Sequence, residues 1–236
     1  MDILMIIHRP YPPSPRLRRE AKTLTEAGHD VRVLHPASES GTEVADGIKV
    51  RRYTETSNIT KKLSSNLLKI DLDLKREIEK EADIGFDVVH VHDFPPAPTV
   101  LHAVDCPVIL DMHDNYPELV REWELEPTWS IWGRVWGRVI RKFPRDPKRA
   151  IYNTFRLPYR YKRDVRNLRK AAERSDTVLA VVPEAKEAYM EMGVEEEKIT
   201  VISNTVDLDW FEKYSVEDPS LETDEILITF TGKSGF

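Results

Sequence analysis

The stretch DVVHVHDFPPAPTVLHAVDCPVILDMHDN, residues 87–115, contains two short apolar runs that each exit into a histidine and an aspartate. Runs of four or five residues rich in valine and isoleucine are too short for helices and read as strands buried on both faces, at Asp87–Val91 and Val108–Met112. Between them the proline-rich segment 94–103 predicts a helix that opens after Pro98, since proline is tolerated in a first turn. The unit is therefore strand, helix, strand, and such a crossover brings its two strands together in parallel.

The same alternation continues on both sides. Upstream, Ile3–Ile7 is a continuous apolar run followed by the loop HRPYPPSPR and a helical pattern through Leu17, Ala21 and Leu24 that stops at Gly28. DVRVL (30–34) and IKVRRY (48–53) follow as strands, and residues 61–82 keep helical spacing. Downstream, TVLAVV (177–182) and KITVIS (198–203) are two further strands around a helix ending near Gly193. The pattern predicts an α/β fold, a Rossmann-like doubly wound parallel sheet. Such sheets bind ligands beyond the carboxyl ends of their strands. The residues to inspect are then His8 and Arg9, His92 and Asp93, His113, Asp114 and Asn115, and Asn204.

The chain has 236 residues, 40% of them hydrophobic and 32% charged, which is ordinary for a soluble globular protein and excludes wholesale disorder. No apolar run approaches the roughly 20 residues that span a bilayer, and MDILMIIHRPYPP lacks the features of a signal peptide. The expected location is cytoplasmic. The single cysteine, Cys106, excludes an internal disulfide and a multi-thiolate metal site. Residues 1–214 are expected to form the sheet domain and the acidic stretch SVEDPSLETDE (215–225) a linker. Residues 226–236 then read as the first strand of a further, missing C-terminal domain.

Several motifs are excluded. No GxGxxG is present, so the phosphate-hugging turn of common dinucleotide folds is missing. Gly232-Lys233-Ser234 resembles the end of a P-loop, but the glycine required five residues earlier is Leu227. His90 and His92 share a strand face beside Asp93, yet no further ligand motif follows. One core histidine and one cleft histidine is the expectation, with no metal. His113, flanked by Asp111 and Asp114, is the candidate catalytic group, because neighbouring carboxylates can fix its tautomer and raise its pKa.

The net charge of -6 conceals a basic insert at 128–170, where 14 lysines and arginines face only Asp146 and Asp164. Within it, WSIWGRVWGRVIRKFPR (129–145) has helical periodicity: Trp129, Trp132 and Trp136 fall on one arc, and Arg134, Arg138 and Arg141 on the opposite one. This insert is expected to be helical. Such a helix suits an anionic membrane surface and equally suits packing on its own domain. Nucleic acid is not an expected partner, since the rest of the chain is acidic.

Five segments in order, RPYPPSPRLRREAKTLTEAGHDVRVL (9–34), DVVHVHD (87–93), PVILDMHDNYPEL (107–119), ERSDTVLAVVPEAKE (173–187) and GVEEEKITVISNTVDLDWF (193–211), together with ITFTG (228–232), give the chain its resemblance. It resembles the N-terminal domain of glycosyltransferase family 4, the retaining, nucleotide-sugar-dependent enzymes of the GT-B fold. The resemblance implies a two-domain enzyme whose acceptor-binding half is this chain and whose nucleotide-sugar donor is bound by the other half. Carried over by position, Arg16 and the loop bearing Arg9 border the acceptor cleft, His92 and Asp93 line it, and His113 faces the reaction centre. Asp114 lies beside it, Asn204 lies near the domain crossover, and Gly232 opens the first loop of the donor domain. It implies a glycan or lipid-linked acceptor and no cofactor beyond the donor substrate, with no metal required. Two alternatives stand beside it: a nucleotide-sugar epimerase of the same fold, and a non-catalytic module that binds a membrane or a partner.

Overall fold

The computed structural model of the chain describes residues 1–9, 11, 15–55, 70–114 and 157–205. They form β1 (Asp2–Ile7), α1 (Pro15–Glu26), β2 (Asp30–Ala37), β3 (Gly41–Ala45), β4 (Ile48–Thr54), α2 (Leu72–Ala82), β5 (Val88–His92), α3 (Ala97–Ala103), β6 (Val108–Asp111), α4 (Leu157–Arg174), β7 (Thr177–Ala180), α5 (Pro183–Glu191) and β8 (Ile199–Val201). The sheet runs β3-β4-β2-β1-β5-β6-β7-β8. Every pairing is parallel except β3 with β4. The chain leaves β1 toward β2 on one side and returns to β5 on the other, so the order reverses at β1 and β5.

The continuous apolar run of β1 is explained by its central place. Ile3, Met5 and Ile7 pack with Leu17 and Ala21 of α1 on one face. Leu4 and Ile6 pack on the other with Leu74 and Ile78 of α2, Val100 of α3 and Leu168 of α4. The same alternation governs β5. Val89 and Val91 join the α2–α3–α4 face, which by the two-residue period turns His90 and His92 toward the face that carries α1.

Two expectations are corrected. The turn at Asp46 and Gly47, both with positive φ, joins β4 to an antiparallel edge strand, β3, that was not foreseen. Its sequence GTEVA is short and polar, as edge strands are. The helix expected over 61–82 begins only at Leu72, because Asp71 caps it by accepting from the backbone N–H groups of Asp73 (2.9 Å) and Leu74 (3.2 Å). Residues 61–69 lie outside the described residues. Residues 157–170 of the basic insert, expected to be helical, lie in α4, between β6 and β7 in the chain, whose Leu168, Ala171 and Ala172 are buried in the core. The tryptophan-rich segment, with Trp129, Trp132, Arg134, Trp136, Arg138 and Arg141, lies outside the described residues, as do the expected linker at 215–225, the strand at 226–236 and Gly232. Among the described residues no helix is long and apolar enough to cross a membrane.

Candidate active site

A buried polar cluster sits where the order of strands reverses, on the α1 face of the sheet. The register aligns Ile7 of β1 with His92 of β5, and His92 with Asp111 of β6. His90, His92 and Asp111 therefore share one face, a short distance below the strand ends. Helix α1 crosses above them. Arg16 and Glu20, one turn apart, point down beside Leu17 and Ala21 of its apolar stripe.

Asp111 is the hub. It has no exposed surface, and a buried carboxylate is tolerated only when it is paired and hydrogen-bonded. Arg16 supplies a two-pronged pair, Nε to Oδ2 at 3.1 Å and Nη2 to Oδ1 at 2.8 Å. The third guanidinium nitrogen donates to the Ile202 carbonyl (3.3 Å) and to Oδ1 of Asn204 (2.9 Å), tying α1 to the chain beyond β8. Asp111 Oδ2 also lies 3.2 Å from His113 Nε2 and 3.3 Å from His92 Nδ1, and these two ring nitrogens are 2.9 Å apart. His90 stacks on His92 with ring centroids 4.3 Å apart.

The loops beyond β5 and β6 are laced together as well. Asp93 adopts a left-handed conformation (φ 64°), unusual for a side-chain-bearing residue, and its backbone N–H donates to the Asp111 carbonyl at 2.8 Å. Its Oδ1 accepts from the backbone N–H of His113 at 3.3 Å, and its Oδ2 is 3.8 Å from His113 Nδ1. His113 is thus held from both sides.

This packing separates the titrations. Burial pushes His92 down to about 3, helped by the neighbouring His90, so its ring is neutral. Burial also acts against ionisation of Asp111, but the rings of His113, His90 and His92 around it outweigh burial and hold the carboxyl well below its usual range. Burial lowers His113, yet the hydrogen bond to Asp111 and the field of Asp93 prevail and its pKa is raised. Glu20 is pushed up to about 7, by burial first and then by the charge of Asp111. His8, at the end of β1, is lowered by burial.

Donor atoms of Glu20, His90, His92 and Asp111 come within 4.8 Å of one another, a spacing that a metal ion could use. Arg16 already lies against both carboxylates, at 2.9 Å from Glu20 Oε1 and 2.8 Å from Asp111 Oδ1. The cluster therefore carries its own cation.

The residues expected from sequence divide into two groups. Arg16, His92, Asp93, His113 and Asn204 are brought together, and His92 and Asp93 among them are buried. Arg9 is exposed beside His8, with its Nε 3.3 Å from His8 Nε2, and Asp114 is exposed just after His113. Sequence analysis gives Asp111 a place only as a carboxylate flanking His113 and His90 only as a partner of His92 on one strand face, and it does not single out Glu20. Two spacings carry the signal for the cluster: Asp111-x-His113 puts both residues on one side of a strand, and Arg16-x-x-x-Glu20 puts an ion pair on one helix face.

Residues 16–210 match the family model described as Glycosyltransferase Family 4. The chain belongs to glycosyltransferase family 4. None of the curated proteins compared with it matches. Among solved structures, it superposes on Anabaena HepE in complex with UDP-glucose with a TM-score of 0.53 at 14% identity, covering 89% of this chain and 46% of that one. Sucrose-phosphate synthase from Thermosynechococcus elongatus gives 0.59 at 13% identity, covering 88% and 49%. The catalytic domain of starch synthase IV from Arabidopsis thaliana, bound to ADP and acarbose, gives 0.52 at 11%, covering 92% and 54%. These neighbours are GT-B glycosyltransferases, and the chain spans about half their length. At such identities the likeness is one of fold.

Proposed function

We propose that this chain is the acceptor-side half of a retaining hexosyltransferase that moves a sugar from a nucleotide donor to a hydroxyl of a glycan or lipid-linked acceptor. The observation that supports it best is the placement of His113 above the buried Asp111 hub, at the reversal of strand order where α/β sheets bind ligands. In the transfer, a bond forms between the acceptor oxygen and the anomeric carbon while the bond from that carbon to the phosphate oxygen breaks. The acceptor loses a proton and the nucleoside diphosphate leaves. A cationic His113 donates a hydrogen bond at the centre, where it orients a substrate oxygen and offsets negative charge. The donor is held by a second domain, so the chain by itself is inactive. The sequence of the basic insert 128–170 supports a peripheral position at an anionic membrane surface on the cytoplasmic side.

Transfer proceeds without a bound metal, because Arg16 already neutralises the carboxylates of the cluster. Addition of EDTA is expected to leave the rate unchanged. A loss of activity that Mg²⁺ or Mn²⁺ restores would contradict this.

The test is incubation of the protein made from its native gene with radiolabelled UDP-, GDP- and ADP-sugars, with and without a glycolipid extract as acceptor. Label that enters the extract supports transfer. Conversion of the free nucleotide-sugar into an epimer without acceptor would instead favour an epimerase, and stable donors in every tube would favour a binding module.

A further inference from the structure

We propose that Asp111 is the positioning residue for His113, fixing the ring with Nε2–H turned into the protein so that Nδ1 is the nitrogen offered to substrate. The proposal rests on the transferase reading above for the word substrate, but its geometric part stands without it.

The argument starts from the ring contacts. His113 Nε2 lies 3.2 Å from Asp111 Oδ2 and 2.9 Å from His92 Nδ1, both on residues with no exposed surface. A neutral His92 with its proton on Nδ1 donates to the same Asp111 Oδ2, 3.3 Å away, so the Nε2–H of His113 and the Nδ1–H of His92 both point at the one carboxylate oxygen. The opposite tautomer would leave the His113 Nε2 lone pair facing the Asp111 carboxylate, two acceptors in a buried site. Hydrogen bonds to an ionised partner are roughly twice as strong as neutral ones, so the carboxylate decides the tautomer. Arg16, in turn, keeps that carboxylate charged and fixes it by two hydrogen bonds.

Among the described residues, Nδ1 has only a long contact, 3.8 Å to Asp93 Oδ2. It is the ring nitrogen left with capacity for a new hydrogen bond. The charged and titratable groups around the ring come from every neighbouring element: Asp111 from β6, His92 and Asp93 from the end of β5, His90 within β5, Arg16 and Glu20 from α1, and His8 from the end of β1. Asp111 and Asp93 favour the charged ring, whereas Arg16 opposes it. The carboxylates prevail, which keeps the outward Nδ1–H available as a donor over a wider pH range than a free imidazole allows.

The experiment is a long-range ¹H–¹⁵N correlation titration of the ¹⁵N-histidine-labelled chain, parent and Asp111→Asn, with kcat and KM of the full enzyme followed over the same pH range. In the parent, Nε2 is expected to stay protonated above the ring's pKa while Nδ1 titrates. In Asp111→Asn the pKa is expected to fall by about one pH unit or more, the size of one charge-assisted hydrogen bond. The limb on which kcat declines with rising pH should move down by a similar amount, with KM little changed. A parent ring with its proton on Nδ1 overturns the proposal, whether or not the variant folds. An unmoved pKa and kcat limb in a folded variant does so too. If neither protein transfers sugar, the transferase reading fails while the tautomer measurement still decides the role of Asp111.

Discussion

At the scale of single residues, the site is a balance between two carboxylates and the groups that neutralise them. Glu20 holds a proton more tightly in the folded chain, at about 7, than its ordinary value of 4.5. Between those values the folded state binds more protons than the unfolded one, so this residue's contribution to stability falls as pH rises from 4.5 through 7. Glu20→Gln removes that dependence. Denaturant unfolding at pH 5 and pH 8 is expected to show the variant gaining on the parent by on the order of 2 to 3 kcal/mol across the interval; an equal gap at both pH values contradicts the assignment. Arg16 acts in the other direction. Arg16→Met leaves Asp111 charged, buried and short of its cation, and is expected to cost about 3 to 5 kcal/mol in a urea titration. A loss under about 1 kcal/mol, the range of exposed ion pairs, would mean that the carboxylate is solvated. His113 was legible in sequence because a histidine after an apolar run is conspicuous. Asp111 was legible as a carboxylate beside His113 but not as the buried hub, because the last residue of VILD looks like the polar end of a strand until the neighbours that bury it are known.

At the scale of elements, strands were read from apolar runs and helices from periodicity, and both signals served wherever burial was two-sided. β1, β5, β6 and β7 lie inside the sheet and match the expected runs within a residue or two. β3 escaped because an edge strand needs few apolar side chains: Thr42, Glu43 and Val44 are all exposed, and hydrogen bonds to β4 hold it in the sheet. The start of α2 was misplaced for a local reason. Helical spacing continues upstream of Asp71 in the sequence, but the Asp71 side chain takes the first free N–H groups and so ends the helix. Asp71→Ala is therefore expected to destabilise the fold by about 1 kcal/mol, read as a lower midpoint in denaturant with an unchanged slope. An unchanged midpoint would show that the cap contributes nothing.

At the scale of the molecule, the strand order does for this chain what no single motif does. It brings the ends of β1, β5 and β6 together, and α1 then lowers Arg16 and Glu20 onto them from a distant part of the sequence. Arg16 also reaches Ile202 and Asn204, so the last described residues of the sheet unit are fastened to the first helix across the crevice. The long-range ties explain why the fold was more legible in sequence than the site: periodicity is local, whereas the partners of Asp111 are separated from it by up to 95 residues. The central claim is that transfer takes place at this crevice with His113 at its centre. Its most direct test is turnover of the full enzyme carrying His113→Ala under saturating donor, with folding verified by circular dichroism. A fall of at least about tenfold is expected, the low end for removal of a positioned polar group, and turnover within twofold of the parent would contradict the account.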